Sequence, residues 1–136
     1  FFKEADIMNW FTQILLGLKH VHDKKILHRD IKTANIMMCK NGIVKLSDFG
    51  VSKKLKETCG MAKSEVGSPI YMSPEIVQQQ PYNAATDIWS LGVVLYEFCQ
   101  FEMPFPFNER SSDNPLKDLS ERILKGEFKP IADTYS

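Results

Sequence analysis

The segment from Ile88 to Cys99 constrains the fold most, because it is the longest apolar stretch of the chain. Its apolar side chains cover every side of a helical wheel, and they are Ile88, Trp89, Leu91, Val93, Val94, Leu95, Tyr96 and Phe98. A helix that is apolar all round is typically buried on all sides. The pattern therefore predicts a buried helix on the axis of a larger body. The stretch is roughly 12 residues long, whereas a helix that spans a bilayer needs about 20.

Two other segments have the helical period on one face only. From Glu4 to His22, apolar residues recur at three- and four-residue steps, which predicts an amphipathic helix; they are Ile7, Trp10, Phe11, Ile14, Leu15, Leu18 and Val21. Near the end of the chain, a second and shorter helix is marked by Leu116, Leu119, Ile123 and Leu124.

A β-hairpin is predicted around Asn41-Gly42, because this pair separates the short apolar runs 36–38 and 43–46. An antiparallel hairpin brings its two outer ends together. Polar residues flank both ends, and each taken alone could cap a loop or a turn. Together they are expected to form one site: Asp30, Lys32, Asn35 and Asp48.

Composition excludes several functional classes. The 17 Lys and Arg balance the 17 Asp and Glu, so the basic excess typical of nucleic-acid and anionic-membrane binders is missing. The three cysteines form no CxxC pair, which argues against a zinc ribbon or a disulfide framework and favours a reduced compartment. The seven glycines never occur as GxG, so there is no dinucleotide fingerprint. Residues 51–68 form no periodic pattern and are predicted to be a long functional or mobile loop.

Four motifs follow one another along the chain: HRDIKTAN at 28–35, DFG at 48–50, SPE at 73–75 and DIWSLG at 87–92. In this order and spacing they resemble the large lobe of a eukaryotic protein kinase, of the serine/threonine type. Within that type, KKILHRDIKTANI, VGSPIYMSPE and PYNAATDIWSLGVVLYEFC are most similar to the NIMA-related (Nek) kinases. The resemblance implies an α+β, protein-kinase-like fold, a mainly helical large lobe with a short β-hairpin.

The resemblance also implies catalytic roles. Phosphoryl transfer needs mainly positioning and charge neutralisation. Asp30 matches the residue that accepts or orients the proton of the substrate hydroxyl, and Lys32 matches the cation that neutralises the transferred phosphate. Asn35 and Asp48 match the ligands of Mg²⁺, which prefers oxygen donors. Met37 stands where the family has an apolar floor beneath adenine, with simple core packing as the alternative. Lys32, Asn35, Met37 and Asp48 are therefore the expected ATP-binding residues.

Three further residues resemble regulatory ones. Arg29 matches the arginine that pairs with a phosphate on the activation loop. Ser64 matches the phosphorylated position, with Thr58 as second choice and an unmodified surface serine as the alternative. Ser68 matches the residue that hydrogen-bonds toward the catalytic Asp and Lys.

Four residues resemble structural ones. His28 and Phe49 match two members of an apolar column in active kinases. Asp87 matches a buried carboxylate that accepts N–H groups of the catalytic loop, with a plain acid at a helix start as the alternative. Glu75 matches an acid whose arginine partner would lie beyond residue 136, so we expect an uncompensated charge there.

The resemblance makes residues 1–136 a partial kinase catalytic domain, with the catalytic loop at 28–35, the activation segment at 48–75 and the small lobe absent. It implies a serine/threonine kinase that uses ATP and Mg²⁺, with the chain alone inactive. The alternatives are a truncated kinase-like lobe that serves as a scaffold and a truncation product without a stable fold. Expected partners are protein substrates and an upstream kinase, or autophosphorylation, with no nucleic acid and no membrane. The expected location is cytoplasmic, with cytoskeletal or centrosomal association as a family trait.

Overall fold

The computed structural model of the chain describes residues 1–49, 53–54, 68–107 and 113–135, with the backbone alone at 53 and 54. Within these ranges there are four helices and four short strands. The helices are α1 (Glu4–Asp23), α2 (Pro74–Val77), α3 (Ala84–Gln100) and α4 (Pro115–Lys125). The strands are β1 (Ile26–Leu27), β2 (Ile36–Met38), β3 (Val44–Leu46) and β4 (Lys53–Lys54). Two 3₁₀ turns cover Thr33–Asn35 and Pro69–Tyr71.

Helix α1 confirms the predicted amphipathic helix. Its buried face carries Ile7, Ile14 and Leu18. On the same helix, Gln13 accepts a hydrogen bond from the Val44 N–H at 2.9 Å and donates one to the Gly42 carbonyl at 3.3 Å. The helix is therefore attached to the β2–β3 hairpin by polar contacts as well as by apolar packing.

The predicted hairpin is also present. Strands β2 and β3 pair in antiparallel register, with Ile36 opposite Leu46. The turn is closed by the Gly42 N–H, which donates to the Cys39 carbonyl at 3.0 Å. Gly42 has a φ of 77°, a conformation that glycine adopts without a Cβ penalty. The Asn41-Gly42 pair thus marks the turn, as its chemistry predicts.

Helix α3 begins with a capping box. The Asn83 side chain accepts from the Ala85 N–H at 2.7 Å, and the Thr86 hydroxyl accepts from the Asn83 N–H at 3.1 Å. The expectation that this helix is buried on all sides is wrong for the described part of the chain, because Ile88 is 48% exposed and Gly92 is exposed. The helix α1 and the turn at 69–71 pack against its other sides.

The core has two parts that meet at Trp89. The larger part joins α1, the hairpin, the catalytic loop and α3, and its buried residues are Ile14, Leu18, Ile31, Val44, Tyr71, Leu91, Val93 and Val94. The smaller part comprises Phe105, Leu119 and Ile123, and it confirms the predicted helix near the end of the chain. The Trp89 ring stacks on Phe105 with centroids 6.0 Å apart.

Strands β1 and β4 form a second antiparallel pair, which the sequence does not predict. The predicted α+β class is nevertheless confirmed by the helices and the two small sheets. In the part of the chain that the structure describes, no helix is both long and apolar enough to cross a membrane.

Candidate functional site

Asp30 lies at the centre of a hydrogen-bonded group in the catalytic loop. Its Oδ2 accepts from Nδ2 of Asn35 at 2.9 Å and lies 2.9 Å from Nζ of Lys32. Nδ2 of Asn35 also donates to the Asp30 carbonyl at 2.7 Å. The other carboxylate oxygen, Oδ1, is buried and has no hydrogen-bond partner among residues 1–49, 68–107 and 113–135. One oxygen is therefore held in place, while the other remains able to accept a proton.

Asp48 is connected to this group by hydrogen bonds of the preceding residue, Ser47. The N–H and the hydroxyl of Ser47 both donate to the Asn35 carbonyl, at 2.9 and 3.0 Å. Asp48 itself is exposed and has a φ of 59°, in the left-handed region that non-glycine residues rarely adopt. Such backbone strain is typical of functional sites. The structure thus joins Asp30, Lys32 and Asn35 by direct contacts and places Asp48 at the adjacent strand end.

His28 connects the catalytic loop to the DFG motif. It is fully buried, and its Nε2 donates to the Ser47 carbonyl at 3.1 Å, while its Nδ1 accepts from the Asp30 N–H at 3.3 Å. These two bonds together fix the tautomer of the ring. The ring also lies against Phe49, with centroids 4.7 Å apart. His28 therefore orients the backbone of Asp30 and supports the DFG motif at the same time.

Asp87 is the main polar anchor of the catalytic loop. Its carboxylate is fully buried and accepts four hydrogen bonds. The backbone N–H groups of His28 and Arg29 donate at 2.9 Å each. The His22 ring donates at 2.7 Å, and the Tyr82 hydroxyl donates at 2.6 Å. The two backbone bonds are those that the resemblance implies, and four donors satisfy the buried carboxylate.

Tyr82 contacts both Asp87 and Arg29. Its ring lies 5.5 Å from the guanidinium carbon of Arg29, within the range of a cation–π contact. Burial, and then the negative charge of Asp87, raise the pKa of the Tyr82 hydroxyl far above its usual value. Arg29 has a φ of 71°, so its backbone lies in the left-handed region that non-glycine residues rarely adopt.

Three residues from separate parts of the chain meet beside the catalytic loop. The Tyr71 hydroxyl donates to Oε2 of Glu97 at 2.8 Å. The Thr33 hydroxyl donates to Oε1 of Glu97 at 3.3 Å and lies 3.1 Å from the Tyr71 oxygen. The group links the catalytic loop, the turn at 69–71 and helix α3.

Met37 and Ser68 lie at the edges of the site. Met37 is 59% exposed on β2, so the alternative that it packs in the core is wrong. Ser68 is half-buried directly before the turn at 69–71. In the described part of the chain its hydroxyl makes no hydrogen bond to Asp30 or Lys32, whose charged groups pair with each other instead.

Glu75 is half-buried, and its Oε1 accepts a hydrogen bond from the Thr86 hydroxyl at 2.8 Å. The acid expected to lack compensation is thus partly stabilised by a neutral donor at the start of α3. Ser64 and Thr58 lie outside the described residues.

The oxygen donors of the site fit Mg²⁺ bound together with ATP. Nδ2 of Asn35 is committed to Asp30, so Oδ1 is the amide atom that remains to face a cation. Asp48 supplies a carboxylate at the adjacent strand end. Mg²⁺ uses few protein ligands and takes the others from phosphate and water, so one amide and one carboxylate oxygen are sufficient.

Tyr71 should make the protein less stable at alkaline pH. Burial, together with the hydrogen bond and charge of Glu97, raises the pKa of its hydroxyl from 10.0 to about 12. A raised pKa favours the protonated, folded form, so this contribution is complete below pH 10 and is lost as the pH rises through 12. We expect the Tyr71→Phe variant to lose less unfolding free energy than wild type between these two pH values, as measured by urea titrations. An equal loss would contradict this assignment.

Sequence reasoning missed His22, Thr33, Tyr71, Tyr82 and Glu97. Each acts through a partner that is distant along the chain, except Tyr82, which lies five residues before Asp87. The one available signal was Asp87 itself, because a buried carboxylate requires several donors.

The comparisons with known proteins agree with the geometry. The model of the protein kinase domain matches residues 1–133. The chain is 50% identical to the human serine/threonine-protein kinase Nek5 over 136 residues, which cover 99% of this chain and 18% of the human protein. It is 47% identical to mouse serine/threonine-protein kinase Nek1 over 135 residues, 99% of this chain and 11% of the mouse protein. It is 45% identical to serine/threonine-protein kinase nekl-2 of Caenorhabditis elegans over 143 residues, 92% of this chain and 40% of that protein.

The chain thus spans less than a fifth of the human and mouse relatives. The predicted resemblance to Nek kinases and the predicted kinase-like fold are confirmed by these matches. With the HRD, DFG, SPE and DIWSLG motifs all inside the matched range, the chain belongs to the protein kinase family.

Proposed function

We propose that this chain is the catalytic-loop region of a serine/threonine protein kinase, which transfers the γ-phosphate of ATP to hydroxyl groups of protein substrates. The observation that carries the proposal is the state of the Asp30 carboxylate. Its Oδ2 is held by Asn35 and Lys32, while its buried Oδ1 has no hydrogen-bond partner in the described part of the chain. An oriented carboxylate with one oxygen that is unpaired within the described residues is suited to accept or orient the proton of a hydroxyl group.

The other side chains are assigned around this carboxylate. Lys32 brings a positive charge next to Asp30, where it would neutralise the phosphate during transfer. Asn35 and Asp48 would hold Mg²⁺, which when bound neutralises charge on the phosphates of ATP. Met37, exposed on β2, would lie beneath the adenine ring. Catalysis by such a site consists mainly of positioning and electrostatic stabilisation.

Regulation and location follow the family resemblance and belong to the same proposal. Arg29 would pair with a phosphate on Ser64, introduced by an upstream kinase or by autophosphorylation. The held guanidinium of Arg29 above Tyr82 supports this assignment, because an ordered cation loses less freedom when it binds phosphate. The proposed location is cytoplasmic, with association to the cytoskeleton or the centrosome.

The test is a phosphotransfer assay on the full-length protein with a mixture of serine and threonine peptides. We expect incorporation of phosphate that requires both ATP and Mg²⁺ and that disappears when a chelator removes the metal. The isolated 136-residue chain is expected to show no transfer under the same conditions. If the full-length protein binds peptides but transfers no phosphate, the alternative of a scaffold would replace the proposed function.

A further inference from the structure

Thr33 carries the one polar side chain of the 3₁₀ turn Thr33–Asn35 that bonds to residues outside the catalytic loop in the described part of the chain. Its hydroxyl contacts the Tyr71 oxygen at 3.1 Å and Oε1 of Glu97 at 3.3 Å. Asn35, at the other end of the same turn, bonds back into the loop at Asp30. The turn therefore connects the catalytic carboxylate on one side with the segment 68–75 and helix α3 on the other.

The three contacts among Thr33, Tyr71 and Glu97 share only two hydroxyl protons. Tyr71 and Thr33 carry one proton each, and Glu97 only accepts when it is ionised. With the Tyr71 proton donated to Oε2 of Glu97, the Thr33 proton is shared between Oε1 and the Tyr71 oxygen. Loss of the Thr33 hydroxyl would therefore remove two of the three contacts and leave the bond between Tyr71 and Glu97 intact.

Tyr71 is attached to α3 without the help of Thr33. Its carbonyl accepts a buried hydrogen bond from the Ser90 hydroxyl at 3.0 Å, and its own hydroxyl donates to Glu97. Its N–H donates to the Ser68 carbonyl at 3.0 Å, which closes the turn at 69–71. Tyr71 is thus fixed to α3 at two points. The Thr33 hydroxyl links the catalytic loop to the same residue and to Glu97.

We propose that Thr33 is a positioning residue, whose hydroxyl fixes the catalytic loop against the segment 68–75. The inference rests on the proposed function and adds to it that the segment 68–75 lies beside the bound protein substrate. The contacts that orient the Asp30 side chain lie inside the loop, so Thr33 acts on the placement of the loop as a whole. Placement matters because a shift of about 1 Å between reacting groups can lower a rate by about 10²-fold.

The test compares two variants of the full-length protein. Thr33→Val removes the hydroxyl at nearly constant volume, and Thr33→Ser keeps it. We expect Thr33→Val to lower kcat/KM for a serine/threonine peptide about tenfold, with a smaller loss in the slow hydrolysis of ATP without peptide. Thr33→Ser should restore most of the peptide activity. A general folding defect would instead lower both activities in the same proportion.

The matched control is Thr12→Val, because the exposed Thr12 hydroxyl bonds to the Met8 carbonyl of its own helix at 2.7 Å and to no other group among the described residues. Amide hydrogen exchange on all variants reports the link without any need for activity. Thr33→Val should speed exchange in residues 28–35 and 68–75 together, whereas Thr33→Ser and Thr12→Val should not.

The outcomes separate the two proposals. If the wild-type protein transfers no phosphate to peptides, the proposed function fails and the exchange data alone decide the role of Thr33. Unchanged exchange in residues 68–75 would overturn the inference. So would equal losses of peptide phosphorylation and ATP hydrolysis, or a Thr33→Val variant with the peptide activity of the wild type.

Discussion

Replacing Asp30 by asparagine in the full-length protein should slow phosphotransfer by a factor of roughly 10²–10⁴ while ATP binding remains. The amide oxygen of the new side chain can still accept from Asn35 and Lys32, so the loop should keep its shape. The amide cannot take up a proton as the carboxylate can, so the lost step is proton acceptance. Steady-state phosphorylation of a peptide and equilibrium binding of a fluorescent ATP analogue measure the two properties separately.

Asp23→Asn is the matched control for this change. Asp23 is an exposed carboxylate that also pairs with a lysine, Lys19, at the end of α1. The Asp23→Asn substitution removes the same charge from a similar ion pair that lies outside the site, so we expect wild-type activity. An Asp30→Asn protein that turns over as fast as the wild type would exclude Asp30 as the proton acceptor.

The sequence predicts the long elements because their signals are local. Helix α1 was predicted at Glu4 to His22 and lies at Glu4–Asp23, since its apolar period continues over five turns. The hairpin turn follows from the chemistry of Asn41-Gly42. The pairing of β1 with β4 could not be predicted, because each strand has two residues and Lys53–Lys54 has no apolar alternation. The exposure of Ile88 could not be predicted either, since a helical wheel does not tell which neighbours are present.

The contacts of the site are also predictable where they join residues close along the chain and unpredictable where they join distant ones. Asp30 and Asn35 lie five residues apart, so a motif and a hairpin suffice to bring them together. The bond between His22 and Asp87 joins residues 65 positions apart, and no local pattern encodes it. Contacts of this kind depend on how the elements pack, and packing is a property of the whole fold.

Asp87→Asn should lower the free energy of unfolding by about 3–5 kcal/mol, a large share of the stability of a typical domain. Each carboxylate oxygen accepts two hydrogen bonds, Oδ2 from His28 and His22, and Oδ1 from Arg29 and Tyr82. An amide has one accepting oxygen, so in either orientation its NH₂ group would face two donors. Buried donors without partners typically cost about 1–3 kcal/mol each. Urea unfolding followed by tryptophan fluorescence measures the loss.

Asp6→Asn separates this role from the simpler reading of Asp87 as an acid at a helix start. Asp6 also stands in the first turn of a helix, α1, but it is exposed. There the charge interacts mainly with the helix dipole, so its removal should cost about 0.3–1 kcal/mol. Tyr82→Phe, which removes one of the four donors, should cost about 1 kcal/mol. If Asp87→Asn costs no more than Asp6→Asn, the carboxylate does not anchor the catalytic loop, and the backbone of His28 and Arg29 must be held by other contacts.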